Sequence, residues 1–215
     1  MPKAKIGVLI SGRGSNLQAL MDAAASPDYP AEIVTVISNR PKAQGLERAA
    51  KAGVSQHIVD HKDFPSREEF DDAVDERLRS AGVDFVCLAG FMRILSDGFV
   101  ESWRGRLLNI HPTLLPAFKG LNVHDRMIAA GVKIAGCTVH FVTRDMDGGP
   151  IIGQAALAVE PSDTAETLAE RILAMEHTLY PQCLKLVAEN KARLAGAVVR
   201  LAPDVCGQGT LHNPA

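Results

Sequence analysis

The sequence predicts an α/β fold with a doubly wound, mainly parallel central sheet and added antiparallel strands in the C-terminal half. Short apolar runs alternate with helical patterns through the first half of the chain, which is typical of βαβ units. A glycine-rich turn joins the first strand to the first helix. In the second half, strand-like runs at 136–142 and 151–159 are close enough to pair as an antiparallel hairpin. Together these observations indicate a Rossmann-like architecture.

Length, charge and cysteine content limit the possible classes of protein. The 215 residues suffice for one large domain or two small ones, and the net charge of -2 argues against a nucleic-acid partner. No apolar run is as long as a membrane span, and the opening residues lead into a strand without a signal-peptide pattern. Cys87, Cys137, Cys183 and Cys206 have neither CxxC spacing nor a disulfide-dense pattern. We therefore expect buried thiols in a cytoplasmic protein that binds no membrane.

The first strand, Lys5 to Ile10, is followed by the glycine loop SGRGSN at residues 11–16 and by a helix pattern. Glycines let the backbone approach an anion, and the free N–H groups of a helix N-terminus face it. A dinucleotide site would need a third glycine where Leu17 stands and an acidic residue after the second strand, where residues 38–40 are Ser-Asn-Arg. The favoured interpretation is a site for a single phosphate monoester, and a tight turn without a ligand is the alternative.

The next segment contains a short helix at 43–52, a third strand at 57–60 and a longer helix. Two histidines flank the third strand, but no further ligand has metal-binding spacing, so no metal site is predicted. Ser66 and Glu69 form a capping box that opens the helix, which ends near residue 80. Arg67 lies in the first turn, where a cation opposes the helix dipole, and this placement suggests an anionic ligand.

The fourth strand, at 84–89, is followed by a glycine and by the mostly apolar residues 92–95. An apolar run at the carboxyl end of a parallel strand can form the wall of a slot for a flat ligand. Ordinary core packing is the alternative. A short helix that begins at Ser96 or Asp97 follows.

The strand at 107–110 is halted by a proline and bears Asn109 and His111, two residues apart. Alternation along a strand puts both side chains on the same side. An amide NH2 and an imidazole that face one way can donate to one oxygen, which is the minimum needed to stabilise an oxyanion in acyl transfer. Alternatively, both are strand-end groups that bond the backbone.

The second half continues with an irregular loop at 112–120 and a helix at 122–130. The strand that ends at residue 142 then breaks into an acidic, glycine-rich loop, which could bring Asp147 to His111. The longest helix pattern runs from about 165 to 190, with a possible bend at a proline. One short strand at 198–201 and a mobile tail complete the chain.

Several motifs occur in the order found in one enzyme family. They are ISGRGSNLQAL, LAGFMRILS, RLLNIHPTLLPAFKG, GCTVHFVTRDMDGGPII and MEHTLYP. Over about residues 5–190 the chain resembles the phosphoribosylglycinamide formyltransferases, which are folate-dependent enzymes of purine biosynthesis. The pairing of NIHP with DGGP is specific for folate-dependent formyl transfer. The glycine loop with Ser15 and Asn16 narrows the resemblance to the enzymes that act on glycinamide ribonucleotide.

The resemblance implies a role for each matching residue. Asn109, His111 and Asp147 match the catalytic trio, in which the protonated His111 and Asn109 stabilise the oxyanion and Asp147 favours the protonated imidazole. The substrate phosphate would be held by Gly14, Ser15 and Asn16. The folate would be bound by Arg67, Met92, Arg93, Ile94, Leu95 and Asn109, with Arg67 at its glutamate tail. Glu176 would help to hold the glycinamide end.

The resemblance also implies the ligands and the organisation of the chain. It implies no metal and no tightly bound cofactor, 10-formyltetrahydrofolate as co-substrate, only small-molecule partners, and a monomer or homodimer. One formyltransferase domain is expected at 1–195, with a phosphate-binding half at 1–105, a catalytic and folate half at 106–195, and a C-terminal extension at 196–215. The family often has Leu-His-Thr-His after PAFKG, whereas this chain has Leu-Asn-Val-His at 121–124.

Two alternative functions differ from this expectation. A formyltetrahydrofolate hydrolase of the same fold shares the NIH region, and we expect it to have an additional N-terminal regulatory domain. A non-catalytic phosphate-binding module would explain the glycine loop, but it would leave the joint presence of Asn109, His111 and Asp147 unexplained.

Overall fold

The structure, a computed structural model, describes residues 2–205. Its strands are β1 (Ala4–Ile10), β2 (Ala31–Ser38), β3 (Ser55–Ile58), β4 (Phe85–Leu88), β5 (Leu107–His111), β6 (Ile134–Phe141), β7 (Ile151–Ala158), β8 (Ala192–Ala195) and β9 (Val198–Leu201). Its α-helices are α1 (Ser15–Ala24), α2 (Gln44–Lys51), α3 (Arg67–Ser80), α4 (Asp97–Ser102), α5 (Val123–Ala129) and α6 (Ala165–Ala188). Cys206 and the end of the predicted tail lie outside the described residues.

Strands β1 to β7 form one sheet in the order β3-β2-β1-β4-β5-β6-β7. The pairs β1–β2, β1–β4, β2–β3 and β4–β5 are parallel, whereas β6 and β7 are antiparallel. The predicted fold class, a mainly parallel sheet with added antiparallel strands in the C-terminal half, is therefore confirmed. The described chain divides into two compact units, with the boundary between Asn109 and Ile110.

The first unit is built around β1, whose last five residues are all buried. This continuous apolar run is expected for a central parallel strand that is covered on both faces. The N-cap of α3 is Ser66, whose hydroxyl accepts a hydrogen bond from the Glu69 N–H at 3.1 Å. Phe70, in the first turns of α3, is fully buried.

The second unit contains the β6–β7 hairpin, against which α6 packs. A capping box formed by Thr164 and Thr167 opens α6, and the helix continues through Pro181 to Ala188. The side chains that α6 buries, including Leu168, Ile172 and Leu184, recur at the three- and four-residue spacing of one helix face. Strands β8 and β9 pair as a separate antiparallel hairpin.

Three local features differ from the expectation. Strand β3 begins and ends two residues earlier than the predicted 57–60. Strand β8 was not predicted, because its sequence Ala-Arg-Leu-Ala lacks the β-branched and aromatic residues that indicate a strand, whereas β9 contains two valines. The Glu69 carboxylate accepts a hydrogen bond from the Ser66 hydroxyl at 3.2 Å instead of returning one to the Ser66 backbone.

The described residues contain neither a helix that could span a membrane nor a cluster of side chains that could hold a metal. None of their helices combines the length and the apolar character that crossing a membrane requires. Within the same residues, no three His, Cys, Asp or Glu side chains are grouped so that they could hold a metal ion.

Candidate active site

The glycine loop turns the chain from β1 into α1. Gly14 is the N-cap residue of α1 and has φ 71° and ψ 32°, in the left-handed region. A Cβ atom there would lie 2.6 Å from the Gly45 Cα, and the Gly45 N–H donates to the Gly12 carbonyl at 3.0 Å. Glycine is therefore required at position 14 by both conformation and space. Because the N-cap residue is a glycine, it makes no side-chain hydrogen bond to the first N–H groups of α1.

The predicted phosphate-binding residues are thus gathered at one helix N-terminus. Gly14 and Asn16 are buried and Ser15 is half-buried. The first turn of α1 contains no acidic residue, so no carboxylate of that turn opposes an anion. Backbone N–H groups and a helix dipole of this kind can bind a phosphate.

The segment after β4 presents two apolar side chains at the surface. Met92 is 62% exposed and Ile94 is 61% exposed, whereas Leu95 is buried. The Arg93 guanidinium lies over the Phe70 ring, 4.9 Å from its centroid, and Phe91 stacks on the same ring. The segment therefore combines exposed apolar groups with a cation held on an aromatic surface.

Asp71 is a buried carboxylate of α3 that interacts electrostatically with Arg93 and Arg67. Its Oδ2 accepts a hydrogen bond from the Ser96 N–H at 2.5 Å, and the residue is 1% exposed. Burial raises the pKa of Asp71, while the Ser96 N–H and the charges of Arg93 and Arg67 oppose that shift. Arg67, in the first turn of α3, is exposed. Sequence reasoning identified both arginines but missed Asp71, because only its burial distinguishes it from other helix carboxylates.

Strand β5 carries Asn109 and His111, the first half-buried and the second 6% exposed. Asn109 is the last residue of the first unit and pairs in register with Leu88 of β4. His111 is the second residue of the second unit. The two residues retain the spacing on β5 from which their common orientation was inferred.

His111 lies between two protein oxygens. Its Nδ1 is 3.5 Å from Asp147 Oδ1, and its Nε2 is 3.1 Å from the Phe118 carbonyl oxygen. Because a carbonyl only accepts hydrogen bonds, Nε2 carries the proton of that contact. The expected approach of Asp147 to His111 is therefore observed. The contact with Phe118 was not predicted, because sequence pattern does not reveal a backbone carbonyl seven residues away.

The Asp147 carboxylate is held from a second side. Its Oδ2 accepts a hydrogen bond from the Gly120 N–H at 2.8 Å. The backbone of Asp147 has φ 52°, which is uncommon for a residue with a side chain and is best tolerated by Asn and Asp. A Cβ at Gly148 would overlap the Asp145 carboxylate, and one at Gly149 would overlap the Phe141 carbonyl oxygen. The backbone and the carboxylate are therefore both constrained.

Two further histidines adjoin the pair, and sequence reasoning gave neither a role. Burial lowers the pKa of His140, which is 2% exposed and whose Nδ1 is 3.0 Å from the Phe141 carbonyl oxygen. Burial also lowers the pKa of His124, whose Nε2 has no hydrogen-bond partner among the described residues. The charge of His111 contributes to both shifts, so all three rings share one electrostatic environment.

Glu176 is a buried acid near the middle of α6, with 6% exposure. Burial, followed by the charge of Glu176, raises the pKa of the Cys137 thiol on β6 to about 12. Burial likewise raises the pKa of Cys183 to about 12. The described cysteines, which are Cys87, Cys137 and Cys183, are all buried, as predicted.

Comparisons with known proteins agree on one family. The profile described as "Formyl transferase" matches residues 4–184. The chain is 53% identical over 192 residues to "Trifunctional purine biosynthetic protein adenosine-3" of Bos taurus, covering 89% of this chain but 19% of that protein. It is 45% identical over 190 residues to "Phosphoribosylglycinamide formyltransferase" of Haemophilus influenzae, covering 88% of this chain and 90% of that protein.

A solved structure gives the same answer for the fold. The crystal structure of glycinamide ribonucleotide transformylase 1 from Symbiobacterium toebii superimposes with a TM-score of 0.91 at 50% identity. The match covers 93% of this chain and 94% of that one. The chain thus spans about a fifth of the trifunctional relative and nearly the whole of the two bacterial proteins.

Proposed function

The chain belongs to the formyl transferase family, and we propose that it transfers the formyl group of 10-formyltetrahydrofolate to the amine of 5'-phosphoribosylglycinamide. This is a step of purine nucleotide biosynthesis. The observation that carries the proposal is the placement of His111 at the end of β5 against Asp147. The name and near-complete coverage of the Haemophilus influenzae relative support the choice of substrate.

The reaction needs no covalent enzyme intermediate, because the substrate amine is itself the nucleophile. Its attack on the formyl carbon forms a tetrahedral oxyanion. We assign the stabilisation of that oxyanion to the Asn109 side-chain NH2 and the protonated His111. Asp147 stabilises the imidazolium by its charge, and a proton moves from the attacking nitrogen to the leaving nitrogen by general acid–base catalysis.

The contact between His111 and Phe118 means that this mechanism requires a local movement of the backbone. The Nε2 proton is directed at the Phe118 carbonyl, and Nδ1 faces Asp147. For His111 to donate to an oxyanion through Nε2, the Phe118 carbonyl must yield its place to the substrate oxygen. Phe118 has φ 54° and precedes Gly120, which has φ 84°. The exchange thus involves a segment already in sparsely populated backbone conformations.

The binding roles follow from the chemistry of each group. Gly14, Ser15 and Asn16 would hold the phosphate through N–H groups at the start of α1. The folate would lie along the exposed side chains of Met92 and Ile94. Arg67 and Arg93 provide positive charge for carboxylates at the folate tail. Glu176 would accept hydrogen bonds from the glycinamide end.

A turnover assay tests the proposal. The purified chain is incubated with a 10-formyl folate, with and without glycinamide ribonucleotide, and the deformylated folate is followed by absorbance. We expect turnover only when the amine is present. Formate release without the amine would identify a hydrolase. Folate binding without turnover would indicate a binding module and would remove the catalytic role assigned to Asn109 and His111.

A further inference from the structure

Ser11 is the first residue after β1 and lies at the start of the glycine loop. It is 3% exposed, and its hydroxyl has two partners. It donates to the Asn39 side-chain oxygen at 2.6 Å and accepts from the Met92 N–H at 2.7 Å. The Ser11 N–H also donates to the Gly90 carbonyl at 3.2 Å. A hydroxyl has one proton and two lone pairs, so it can make both side-chain contacts at once.

These partners follow three neighbouring parallel strands, all within the first unit. Asn39 follows β2, Ser11 follows β1, and Met92 follows β4, in the sheet order β2-β1-β4. Asn39 is 2% exposed, and its amide nitrogen lies 3.4 Å from the Nδ1 of His61. One buried hydroxyl therefore connects the glycine loop with the segment that begins at Met92.

The contact to Met92 is a backbone contact, so it controls the path of the chain rather than one side chain. The Met92 N–H has a hydroxyl as acceptor instead of a strand partner, because β4 ends at Leu88. This hydrogen bond is partly buried, so removing its acceptor costs free energy, and the position of the segment depends on the Ser11 oxygen. A shift of Ser11 with the glycine loop is thus transmitted to residues 92–95.

We propose that Ser11 is a positioning residue that couples occupation of the glycine loop to binding of folate at residues 92–95. The inference rests on the proposed function, since it takes these two segments as the phosphate and folate sites. An anion that orders the glycine loop fixes Ser11, and Ser11 fixes the Met92 backbone against which the folate binds. Coupling of this kind is reciprocal, so folate strengthens phosphate binding by the same factor.

The test measures tetrahydrofolate affinity by calorimetry with and without saturating inorganic phosphate. Inorganic phosphate is chosen because it cannot touch the folate, whereas the glycinamide of the full substrate could. In the unmodified protein we expect phosphate to tighten folate binding on the order of 5-fold. In Ser11→Ala the ratio should fall to about 1, and the KM for the formyl donor should rise on the order of 5- to 10-fold.

Ser38→Ala is the matched control. Ser38 is also a fully buried serine at the end of a strand of the same unit, and its hydroxyl bonds the Arg40 N–H and carbonyl at 3.1 and 2.8 Å. It loses as many hydrogen bonds as Ser11→Ala but does not touch the Met92 segment. The Ser38→Ala variant should therefore keep the coupling ratio of the unmodified protein. If the loss of any buried hydroxyl were enough to abolish the coupling, Ser38→Ala would lower the ratio as well.

Amide exchange at Met92 tests the same link in the unmodified protein and does not depend on the folding of a variant. Inorganic phosphate should slow exchange of this amide on the order of 5-fold. The inference is overturned by an unchanged exchange rate, or by an equal coupling ratio in Ser11→Ala and the unmodified protein. If the unmodified chain bound neither phosphate nor tetrahydrofolate, the proposed function itself would fail, and the coupling with it.

Discussion

The two glycine-rich loops of the molecule use glycine for opposite purposes. In the loop after β1, the absence of a side chain at Gly14 lets the backbone pack closely on Gly45, since a Cβ would lie 2.6 Å from the Gly45 Cα. Gly14 is also the N-cap of α1 and makes no side-chain hydrogen bond to the N–H groups at the start of that helix. In the loop after β6, Gly148 and Gly149 leave room for the Asp145 carboxylate and the Phe141 carbonyl oxygen, and the carboxylate of the preceding residue, Asp147, is held by the Gly120 N–H. The first loop presents backbone dipoles, and the second presents a titratable group.

This contrast extends to what supports each loop. The first is held by backbone contacts with α2, such as the bond from the Gly45 N–H to the Gly12 carbonyl. The second adjoins His111 and His140, and Cys137 and Glu176 belong to the same unit. We infer that substitutions that leave the charge unchanged should affect the first loop, and that changes of charge or of pH should affect the second loop.

The largest effect is expected from Asp147→Asn. The amide keeps an oxygen for the Gly120 N–H and suits the left-handed backbone, but it removes the charge beside His111. We expect kcat to fall on the order of 10²-fold or more, with an altered pH profile, because general acid–base catalysis is lost. Asp145→Asn is the control, since Asp145 is an exposed neighbour paired with Lys119, and it should retain activity. Near-full activity of Asp147→Asn with an unchanged pH profile would contradict the assigned role.

Gly14→Ala tests the first loop without any change of charge. The methyl group is forced into the left-handed region and against Gly45, so we expect a loss of about 1–2 kcal/mol of unfolding free energy. We also expect the KM for the phosphorylated substrate to rise on the order of 10-fold, because the loop N–H groups move. Steady-state kinetics and thermal denaturation provide both readouts.

Gly12→Ala is the matched control for that variant, because a Cβ there would meet no atom within 4 Å. It should change neither stability nor KM appreciably. Equal effects of the two alanines would mean that the glycine loop does not depend on the geometry at Gly14.

The pH dependence of stability should be seen in the second unit through its buried thiols. Burial raises the pKa of Cys137 and Cys183 from 9.0 to about 12, so the unfolded chain releases these protons first as pH rises. Their stabilising contribution is complete below pH 9 and is lost as pH rises toward 12. Each thiol should lower the unfolding free energy by about 1.4 kcal/mol per pH unit above pH 9.

Urea denaturation between pH 8 and pH 11 measures this slope. Cys183→Ala removes one of the two thiols and should reduce the slope by about 1.4 kcal/mol per pH unit relative to the unmodified protein. Parallel pH dependences in the two proteins would show that this thiol is not protected by burial.

The smallest effect is expected from Arg126, which contacts the segment that contains the Phe118 carbonyl. Arg126 donates to the Lys119 carbonyl at 2.6 Å and lies 5.6 Å from the Phe118 ring centroid. Arg126→Gln should loosen the segment that contacts His111 and Asp147. We expect kcat to fall a few-fold, because the free energy of one hydrogen bond is lost. Arg193→Gln serves as the control, because this exposed arginine of β8 also donates to a backbone carbonyl, that of Asn190, but does not contact the segment at Phe118. Equal kcat values in the two variants would remove the positioning role of Arg126.

Much of the fold was predictable because its elements have strong local patterns. Residue type and spacing alone predicted three of these features, which are the apolar run of β1, the Ser66 cap of α3 and the β6–β7 pairing. Strand β8 was missed because its residues, Ala-Arg-Leu-Ala, are not ones that favour a strand. Local pattern identifies an element when burial on one face imposes a period over several turns or strand residues.

Sequence reasoning predicted one contact of the candidate site and missed several others. The approach of Asp147 to His111 was predicted from the acidic, glycine-rich loop that follows a strand, and the structure shows it. The Phe118 carbonyl, the Gly120 N–H and the hydroxyl of Ser11 act through backbone groups or buried position. Every residue has a backbone, so residue type gives no signal for such contacts. Asp71 shows the same limit, since its burial depends on neighbours far along the chain.

The backbone of residues 147–149 has a consequence for how this region tolerates variation. Position 147 has φ 52°, a Cβ at position 149 would overlap the Phe141 carbonyl oxygen, and a Cβ at position 148 would overlap the Asp145 carboxylate unless that side chain moved. In a saturation-mutagenesis library, most replacements at these positions would be rejected for their shape before their chemistry could be tested. At position 147, asparagine is the replacement that changes charge while respecting the backbone, so it alone separates the two kinds of rejection. Strong depletion across all three positions would therefore report geometry at two of them and catalysis at only one.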